Sequence, residues 1–390
     1  MTHAGHRNNF LNQDDNKWQY MVKKSVNPKF TDCGKLKFSQ NTLPLGIYRK
    51  VSTLFDSIQS ARTVMLRYKS DLSTVVGFEN YCITPLTASN KLPMLFYKRE
   101  DLTCIKAYKI RGAIYQMSKI IEKNHSTKLN FVAASTGNHA LGVLKAAEIL
   151  RVPGVTICIS ESVTDFKKQK LENRVNDLKT KGINAKLVIK GENFDQTNKY
   201  AKDFVEANED TYYIDPYNTH NAVAGQGTIG LEILLQLENQ FYDQEQLEYD
   251  YEKLKKLKQI TVVVPIGGGG LISGISIAIL MGIQSFPKFK KLDISVIGVK
   301  LDDLNSVYGD AIKVKIPGEH NQDLLKHLVS RQVAINDVDM KKGIDFISED
   351  IGVLVEGASS GTLKPVFESI TQPSEENAVI CVLSGGNVHF

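Results

Sequence analysis

The stretch Val262–Gly274, "VVVPIGGGGLISG", joins a valine-rich strand to an apolar helix through four consecutive glycines. Because glycine has no Cβ, the backbone N–H groups of such a turn can converge on one anion at the positive end of the following helix. The stretch lacks the Lys-Ser or Lys-Thr of a P-loop and the Gly-x-Gly-x-x-Gly spacing of a dinucleotide turn. We interpret Gly267, Gly268, Gly269 and Gly270 as a phosphate cradle rather than as a hinge or a packing device.

On both sides of this turn, short segments rich in valine and isoleucine alternate with helical patterns. Strand-like segments include "MLFYK" from Met94, "GVTICIS" from Gly154 and "DISVIGVK" from Asp293, and "HALGVLKAAEILR" from His139 is one of the helical patterns between them. Such alternation is typical of parallel sheets wrapped by helices. The sequence therefore predicts the α/β fold class.

Three further segments lie outside this alternation. Residues 1–50 are polar, mixed in charge and rich in turn-forming residues, so we expect a loosely structured N-terminal extension. Apolar residues recur on one helical face of Ser57–Tyr68, which predicts a helix packed on the main body. The segment Leu237–Lys258 is acidic first and basic last, the polarity that a helix dipole favours, and we interpret it as a solvated helical insertion.

Composition and charge argue against several classes of protein. The chain has 390 residues, of which 42% are hydrophobic, enough for one large domain or two modest ones. No apolar run reaches the roughly 20 residues that a bilayer span needs, and the N-terminus has no apolar signal segment. The formal net charge of +5 is spread along the chain, which disfavours a nucleic-acid partner. The five cysteines lack the spacing of a zinc site or a disulfide framework, so we expect a cytoplasmic protein with reduced thiols.

A second strand-to-helix junction, "FVAASTGNHALGV", ends its strand at small polar residues. Ser135, Thr136, Gly137 and Asn138 then lie at a helix N-terminus, which can receive a carboxylate. An ordinary helix cap explains these residues equally well. We interpret His139 as a packing residue rather than a base or a metal ligand, because no second ligand lies at a suitable spacing.

Two more segments carry candidate functional groups. The strand pattern "AVICVLSGGNV" ends at Ser384, and ligands of parallel sheets collect beyond the carboxyl ends of the strands. The stretch Asp101–Met117, "DLTCIKAYKIRGAIYQM", places Lys109 in a run that otherwise resembles buried packing. Burial lowers the pKa of a lysine amine and makes it nucleophilic enough to form a Schiff base, whereas the alternative is a lysine that extends its amine to solvent.

A lysine amine, a phosphate cradle, a carboxylate loop and a terminal serine are together the parts that hold pyridoxal phosphate and an amino acid. From about residue 80 to residue 390 the sequence resembles the fold type II pyridoxal-phosphate-dependent enzymes, in the branch of threonine and serine dehydratases and serine racemases. The motifs that carry the resemblance are "KREDLTCIKAYKIRGA", "ASTGNH", "GGGGL" and "LSGGN", supported by "ITPLTAS", "DPYN" and "AGQGTIGLEIL" in the family's order.

The resemblance implies a tryptophan synthase β-like fold with two domains, each built on a mainly parallel sheet wrapped by helices. The small domain is expected at residues 130–208, and the large cofactor-binding domain at residues 51–129 and 209–390. The resemblance also implies a small amino-acid substrate. We expect a homodimer, and neither a nucleic-acid nor a membrane partner.

The same resemblance assigns roles to single residues. It implies that Lys109 carries pyridoxal 5'-phosphate covalently, that Tyr108 packs against the cofactor and that Asn138 contacts its phenolic oxygen. The four glycines would hold the phosphate, and Ser384 would contact the pyridine nitrogen. Lys109 is therefore expected to be indispensable, and Arg111 to tolerate substitution far better. The implied substrate-binding loop comprises Ser135, Thr136, Gly137, Asn138 and His139.

The sequence also departs from the family's pattern. Thr136, the second implied catalytic residue, stands where dehydratases often have alanine and racemases a catalytic serine; Asn218 replaces an aspartate and Gly357 a proline. Lys300 stands where many relatives have a glutamate that binds a divalent cation. Because an ammonium group cannot ligate a cation, we expect no metal site.

The activity that the resemblance implies is β-elimination from a β-hydroxy amino acid such as L-threonine or L-serine, with Lys109 removing the Cα proton, to give a 2-oxo acid and ammonia. The alternatives are a serine racemase or a lyase for another β-substituted amino acid such as 3-hydroxyaspartate. A β-replacement enzyme fits less well, since its phosphate loop usually ends in threonine. A non-catalytic pyridoxal-phosphate-binding protein would not need the retained site residues.

Overall fold

The computed structural model describes residues 37–38, 41–74, 82–124, 126, 128–243 and 248–388. Its strands are β1 (Lys37–Phe38), β2 (Asn41–Thr42), β3 (Leu86–Ala88), β4 (Leu95–Arg99), β5 (Asn130–Ala134), β6 (Gly154–Ile159), β7 (Asn184–Ile189), β8 (Thr211–Tyr213), β9 (Tyr242–Asp243), β10 (Glu248–Tyr249), β11 (Gln259–Pro265), β12 (Asp293–Leu301), β13 (Arg331–Ile335) and β14 (Asn377–Leu383). Its α-helices are α1 (Leu45–Arg67), α2 (Lys69–Leu72), α3 (Lys109–Lys123), α4 (Asn138–Leu150), α5 (Asp165–Thr180), α6 (Phe194–Glu206), α7 (His220–Asn239), α8 (Tyr251–Lys256), α9 (Gly270–Gly282), α10 (Glu319–Leu328), α11 (Asp337–Ile351), α12 (Gly357–Ser360) and α13 (Lys364–Phe367).

The larger sheet has the strand order β13-β12-β11-β14-β4-β3 within the described part of the chain. Its strands run parallel except β3, which pairs antiparallel with β4. The central strands β11 ("QITVVVP") and β14 ("NAVICVL") are buried from their second residue to their last. Continuous apolar strands of this kind are needed where helices cover both faces of a parallel sheet.

The smaller sheet has the order β7-β6-β5-β8, with all strands parallel. Strand β5 ends at Ala134, and α4 begins four residues later at Asn138. Two parallel sheets wrapped by helices confirm the predicted α/β class. Among the described helices, none combines the length and the apolar composition needed to cross a membrane.

The helix predicted over Ser57–Tyr68 is longer than the sequence indicated. It begins at Leu45, within the segment expected to be an extension, and ends at Arg67. Its first half buries Tyr48, Val51 and Leu54 as well as the predicted face, so packing on the main body stabilises residues that look polar on average. The rest of the expected extension lies almost entirely outside the described residues.

The prediction of one helical insertion over Leu237–Lys258 is wrong. Helix α7 ends at Asn239, and the antiparallel pair β9 and β10 and the short helix α8 follow it. The rings of Tyr242 and Tyr249 pack across the pair with centroids 5.0 Å apart, and the Asp250 side chain caps α8 by accepting a hydrogen bond from the Lys253 backbone N–H. Aromatic pairing across strands thus outweighs the charge polarity that suggested a helix.

Candidate active site

A cavity of about 470 Å³ lies where the carboxyl ends of β5, β11 and β14 meet. Ligands of parallel sheets bind at such a position. Most of the predicted site residues lie together in its wall, although they come from segments far apart in the chain. Those lining it are Tyr108, Lys109, Ser135, Thr136, Gly137, Asn138, His139, Gly267, Gly268 and Ser384. Gly269 and Gly270 do not line the cavity, but they complete the turn that Gly267 and Gly268 begin.

Lys109 is the first residue of α3, and its half-buried side chain extends into this cavity. The amine donates a hydrogen bond to the carbonyl oxygen of Pro216 at 3.0 Å. It lies 5.0 Å from the ring centre of Tyr108 and 5.7 Å from that of Tyr217. The Tyr108 N–H donates to the Ser384 carbonyl at 3.1 Å, which fixes the start of α3 against the end of β14. The amine is therefore held in place without a carboxylate partner among the described residues.

The glycine turn is shaped by the close approach of Tyr217. A Cβ on Gly268 would lie 2.1 Å from the Tyr217 ring, and one on Gly270 would lie 2.7 Å from the Tyr217 carbonyl oxygen. Gly269 has a φ of +88°, a conformation that side-chain-bearing residues rarely adopt. The turn leads into the 13-residue helix α9, and the positive end of the helix dipole at its N-terminus would stabilise an anion. These glycines fit the predicted phosphate cradle.

The loop Ser135–Asn138 connects β5 to α4. The Ser135 hydroxyl accepts a hydrogen bond from the Gly137 N–H at 3.2 Å, and all four residues of the loop line the cavity. His139 is buried behind the loop, and its Nε2 donates to the Ile214 carbonyl oxygen at 2.8 Å. Burial lowers the pKa of His139 to about 4, and the positive charge of Lys109 acts in the same direction. His139 is therefore a neutral residue that supports the loop.

Glu356 is a cavity residue that the sequence did not point out. The Asn138 amide donates to both of its carboxylate oxygens, at 2.8 and 3.1 Å, and the Asn387 N–H donates to Oε1 at 3.1 Å. The Asn387 side chain also donates to Oδ1 of Asn138 at 2.9 Å. Burial raises the pKa of Glu356 to about 7, although the hydrogen bonds from Asn138 and Asn387 lower it. Asn138 is thus oriented by a carboxyl group that titrates near neutral pH.

Ser384 lies at the carboxyl end of β14, 4% exposed. Its hydroxyl is 3.3 Å from the Ser359 hydroxyl, which in turn donates to the Gly385 carbonyl at 2.9 Å. A Cβ on Gly385 would lie 2.6 Å from Glu356 Oε1, so a side chain there would displace the carboxylate. The predicted contact to a pyridine nitrogen would therefore come from a neutral hydroxyl.

Arg111 does not lie in the cavity, and its surroundings argue against the expectation that it tolerates substitution. Its fully buried guanidinium pairs with Glu100 at 2.8 Å and with Glu232 at 2.7 Å. Lys98 also pairs with Glu232, at 2.6 Å. We call these four residues the buried ion cluster. Removing the guanidinium would leave two buried carboxylates short of a cation, which strongly destabilises a protein.

The departures from the family's pattern lie in different surroundings. Gly357 is required locally, since a Cβ there would lie 2.5 Å from the Tyr308 carbonyl oxygen. Asn218 accepts a hydrogen bond from the His320 N–H at 3.0 Å. Lys300 is exposed near the end of β12. Within the described ranges there is no group of three or more His, Cys, Asp or Glu side chains that could hold a metal ion.

The sequence matches the family described as pyridoxal-phosphate dependent enzymes over residues 78–385, most of the chain. It is 30% identical over 360 residues to an L-threonine ammonia-lyase of Thermotoga maritima, covering 86% of this chain and 76% of that protein. It is 29% identical over 310 residues to a catabolic L-threonine dehydratase of Staphylococcus aureus, covering 75% and 79% of the two chains.

Solved structures share the fold. The processed form of threonine deaminase isoform 2 from Solanum lycopersicum superposes with a TM-score of 0.64 at 21% identity, covering 88% of this chain and 86% of that one. Maize serine racemase also superposes with a TM-score of 0.64 at 21% identity, covering 86% and 94%. Both likenesses are similarities of fold.

Proposed function

The chain belongs to the pyridoxal-phosphate-dependent enzymes, and from that premise we propose that it catalyses β-elimination from a β-hydroxy amino acid such as L-threonine or L-serine. The products are a 2-oxo acid and ammonia. The observation that carries the proposal is the position of the Lys109 amine, held in the cavity without a carboxylate partner among the described residues, beside the Ser135–Asn138 loop. The threonine-converting relatives in two bacteria support the same reaction.

The residues in the cavity fit the cofactor. Lys109 would hold it covalently, the glycine turn would take its phosphate, Asn138 its phenolic oxygen and Ser384 its ring nitrogen, while Tyr108 packs alongside. When bound, pyridoxal phosphate supplies an electron sink that makes the Cα proton of an amino acid acidic. Ser384 offers a neutral hydroxyl and no carboxylate, so it does not favour protonation of the ring. That limits how far the electron pair delocalises and favours prompt loss of the β-substituent.

The substrate would be positioned by its carboxylate. At the N-terminus of α4 the Ser135 and Gly137 N–H groups donate within the protein, so those of Thr136 and Asn138 are left for an anion, which the helix N-terminus stabilises. Lys109, once free, takes the Cα proton as a general base. The Cβ–O bond then breaks and the hydroxyl leaves as water. Hydrolysis of the resulting enamine consumes one water and releases the 2-oxo acid and ammonia, so water balances overall.

Thr136 supports a second product. Thr136 lines the cavity, and a proton returned by its hydroxyl to Cα from the face opposite Lys109 would invert the amino acid. The β-branched threonine side chain is stiff at χ1, which limits how well its hydroxyl can be aimed. We therefore propose that elimination exceeds racemization. Activity without added magnesium or calcium is part of the same proposal, since Lys300 carries an ammonium group.

We also propose the organisation expected from the resemblance. The small domain of residues 130–208 would contain β5, β6 and β7 of the smaller sheet. The domain of residues 51–129 and 209–390 would contain the larger sheet and also β8, which pairs with β5 at the boundary. A cytoplasmic homodimer is the proposed form of the protein. Analytical ultracentrifugation measures the assembly, with a mass of twice 43.5 kDa as the expected result and a single chain as the contrary one.

The test is an assay of the full chain loaded with pyridoxal phosphate. L-threonine and L-serine are supplied separately, and 2-oxo acid, ammonia and the chirality of the remaining amino acid are measured with and without chelator. We expect equal amounts of 2-oxo acid and ammonia, little D-amino acid and no loss on chelation. D-amino acid as the main product would establish the racemase instead, and a chelator effect reversed by magnesium would refute metal independence.

A further inference from the structure

The cavity wall carries more positive charge than the proposed reaction uses. Of the described residues that line it, the acidic ones are Asp310 and Glu356. The lysines are Lys109, Lys167, Lys170 and Lys313. A wall with this balance favours an anion, because field lines concentrate in a cavity bounded by low-dielectric protein.

For three of the four lysines, the charge is used, paired or exposed to solvent. Lys109 is the amine of the proposed reaction. Lys167 pairs with Asp310 at 2.7 Å, which joins α5 to the other side of the cavity. Lys313 is exposed, so solvent screens its charge. These three charges are therefore accounted for.

Lys170 is the fourth lysine of the cavity wall, and its charge is not accounted for in this way. It lies on α5 one turn after Lys167, is half-buried, and makes no ion pair or side-chain hydrogen bond with any residue that the structure describes. Burial lowers its pKa, and the positive charge of Lys106 adds to the effect, although Glu356 opposes it. An ammonium group in this position is unfavourable by itself and would be stabilised by an anion in the cavity.

Neither Glu356 nor the phosphate of the cofactor is the counter-ion of Lys170. The oxygens of Glu356 accept hydrogen bonds from Asn138 and Asn387, and no ion pair joins this carboxyl to Lys170 in the described structure. The phosphate cradle follows β11. Lys170 lies instead on α5, the helix that follows β6, and β6 pairs with β5, the strand that ends at the Ser135–Asn138 loop. The unbalanced charge is therefore on the substrate side of the cavity.

We propose that Lys170 binds a second anionic group of the substrate, a carboxylate or phosphate attached at Cβ. The enzyme would then prefer an acidic β-substituted amino acid to L-serine or L-threonine. The inference rests on the proposed function, since the α-carboxylate is assigned to the N-terminus of α4 and Lys170 is left for the other end of the substrate. A half-buried ammonium discriminates more than an exposed one, because solvent screens it less.

The chemistry is that of the proposed elimination. With 3-hydroxyaspartate, Lys109 takes the Cα proton, the Cβ–O bond breaks, the hydroxyl leaves as water, and one water returns on hydrolysis to give a 2-oxo dicarboxylic acid and ammonia. With O-phosphoserine the leaving group is phosphate, so one water is consumed overall and pyruvate, phosphate and ammonia are formed. The two substrates distinguish a carboxylate from a phosphate.

The experiment compares the holoenzyme with Lys170→Met and with Lys168→Met, which removes a neighbouring lysine of α5 that does not line the cavity. For each protein, kcat/KM is measured with O-phosphoserine, with 3-hydroxyaspartate and with L-serine, and the first two values are divided by the value for L-serine. We expect at least one of these ratios to fall about tenfold or more in Lys170→Met, equivalent to 1.4 kcal/mol, and to be retained in Lys168→Met. Equal loss on every amino acid would mean that Lys170 binds the α-carboxylate, which would overturn the proposal.

A binding measurement separates this inference from the proposed function. Calorimetry with succinate and butyrate compares unreactive four-carbon acids that differ by one carboxylate. We expect succinate to bind about tenfold more tightly than butyrate to the wild-type holoenzyme and the preference to vanish in Lys170→Met. If no amino acid yields a 2-oxo acid but this preference holds, the reaction is wrong and the binding site stands. Equal binding of the two acids to the wild type would reject the site.

Discussion

Two residues apart on the first turn of α3, Lys109 and Arg111 have opposite environments. Arg111 is sealed in the buried ion cluster, where Glu100 and Glu232 raise its pKa against the effect of burial. Lys109 lies in the cavity with a carbonyl oxygen and two aromatic rings as neighbours. One cation is neutralised by fixed carboxylates, and the other is left available for a ligand.

The buried carboxylates of the two regions differ in the same way. Burial would raise the pKa of Glu232, but Arg111 and Lys98 outweigh it and hold that pKa at about 2. Glu356 is also buried, but it accepts hydrogen bonds from amide donors and has no paired cation among the described residues, and its pKa is raised to about 7. Cations keep a carboxylate charged, whereas amides alone do not overcome the cost of burial. The ion cluster therefore holds its carboxylates in the charged form, and the cavity contains a carboxyl group whose charge can change near neutral pH.

The largest expected effect is the loss of catalytic activity when the lysine of the cavity is replaced. Lys109→Ala should abolish turnover and covalent attachment of the cofactor, because it removes the amine that lies in the site. It should leave the melting temperature of the cofactor-free protein close to that of the wild type, since Lys109 pairs with no described carboxylate. Lys123→Ala, an exposed lysine on the same helix, is the control and should retain both properties. Turnover that survives Lys109→Ala would remove the distinction between the two regions.

The next effect is on stability in the ion cluster. Arg111→Met leaves Glu100 and Glu232 buried without their shared guanidinium, which should cost about 3–5 kcal/mol of unfolding free energy. We expect the melting temperature to fall by on the order of 5–10 °C. Arg49→Met, at an exposed arginine, is the control and should change it little. If Arg111→Met melts like the wild type, the cluster does not stabilise the fold.

The smallest expected effect is a pH dependence of the melting temperature, which distinguishes Glu356 from Glu232. The pKa of Glu356 is raised from 4.5 to about 7, so the folded protein holds a proton that the unfolded chain releases in this interval. Its contribution to stability is fully present below about pH 4.5 and is lost as the pH rises through 7. Glu356→Gln keeps the shape and removes the titration. The melting temperature of the variant relative to the wild type should therefore rise between pH 5 and pH 8, by on the order of 5 °C.

The control for this pH dependence is Glu349→Gln, which replaces an exposed carboxylate. Its melting temperature relative to the wild type should not change with pH in the same interval. A difference for Glu356→Gln that is constant from pH 5 to pH 8 would show that Glu356 stays charged, as Glu232 does.

The sequence predicted those parts of the site that are contiguous in the chain. The glycine turn, the Ser135–Asn138 loop and the residue at the end of β14 each follow a strand directly, and the carboxyl ends of parallel strands meet at one edge. The strand pattern directly before each of these segments was enough to predict its position at that edge. The individual roles assigned to these residues remain predictions for the experiments above to test.

The sequence did not predict the partners that lie far apart in the chain. Glu356 and Asn138 are 218 residues apart, and Glu232 and Arg111 are 121 apart, so no local pattern links them. Arg111 follows Lys109 by two residues, and residues two apart on a helix point to different sides, so the role of Lys109 did not indicate the surroundings of Arg111. A lone glutamate within the apolar run "TIGLEIL" was the available signal, since a buried charge needs a partner.

The measurement that tests the account most directly is the location of the cofactor. The full chain is loaded with pyridoxal phosphate and reduced with borohydride, and the modified peptide is identified by mass spectrometry. We predict one modified residue, Lys109, and an unmodified Lys98, because the latter is sealed in the ion cluster with Glu232. Cofactor attached to Lys98, Lys170 or any lysine other than Lys109 would contradict the assignment of the active site.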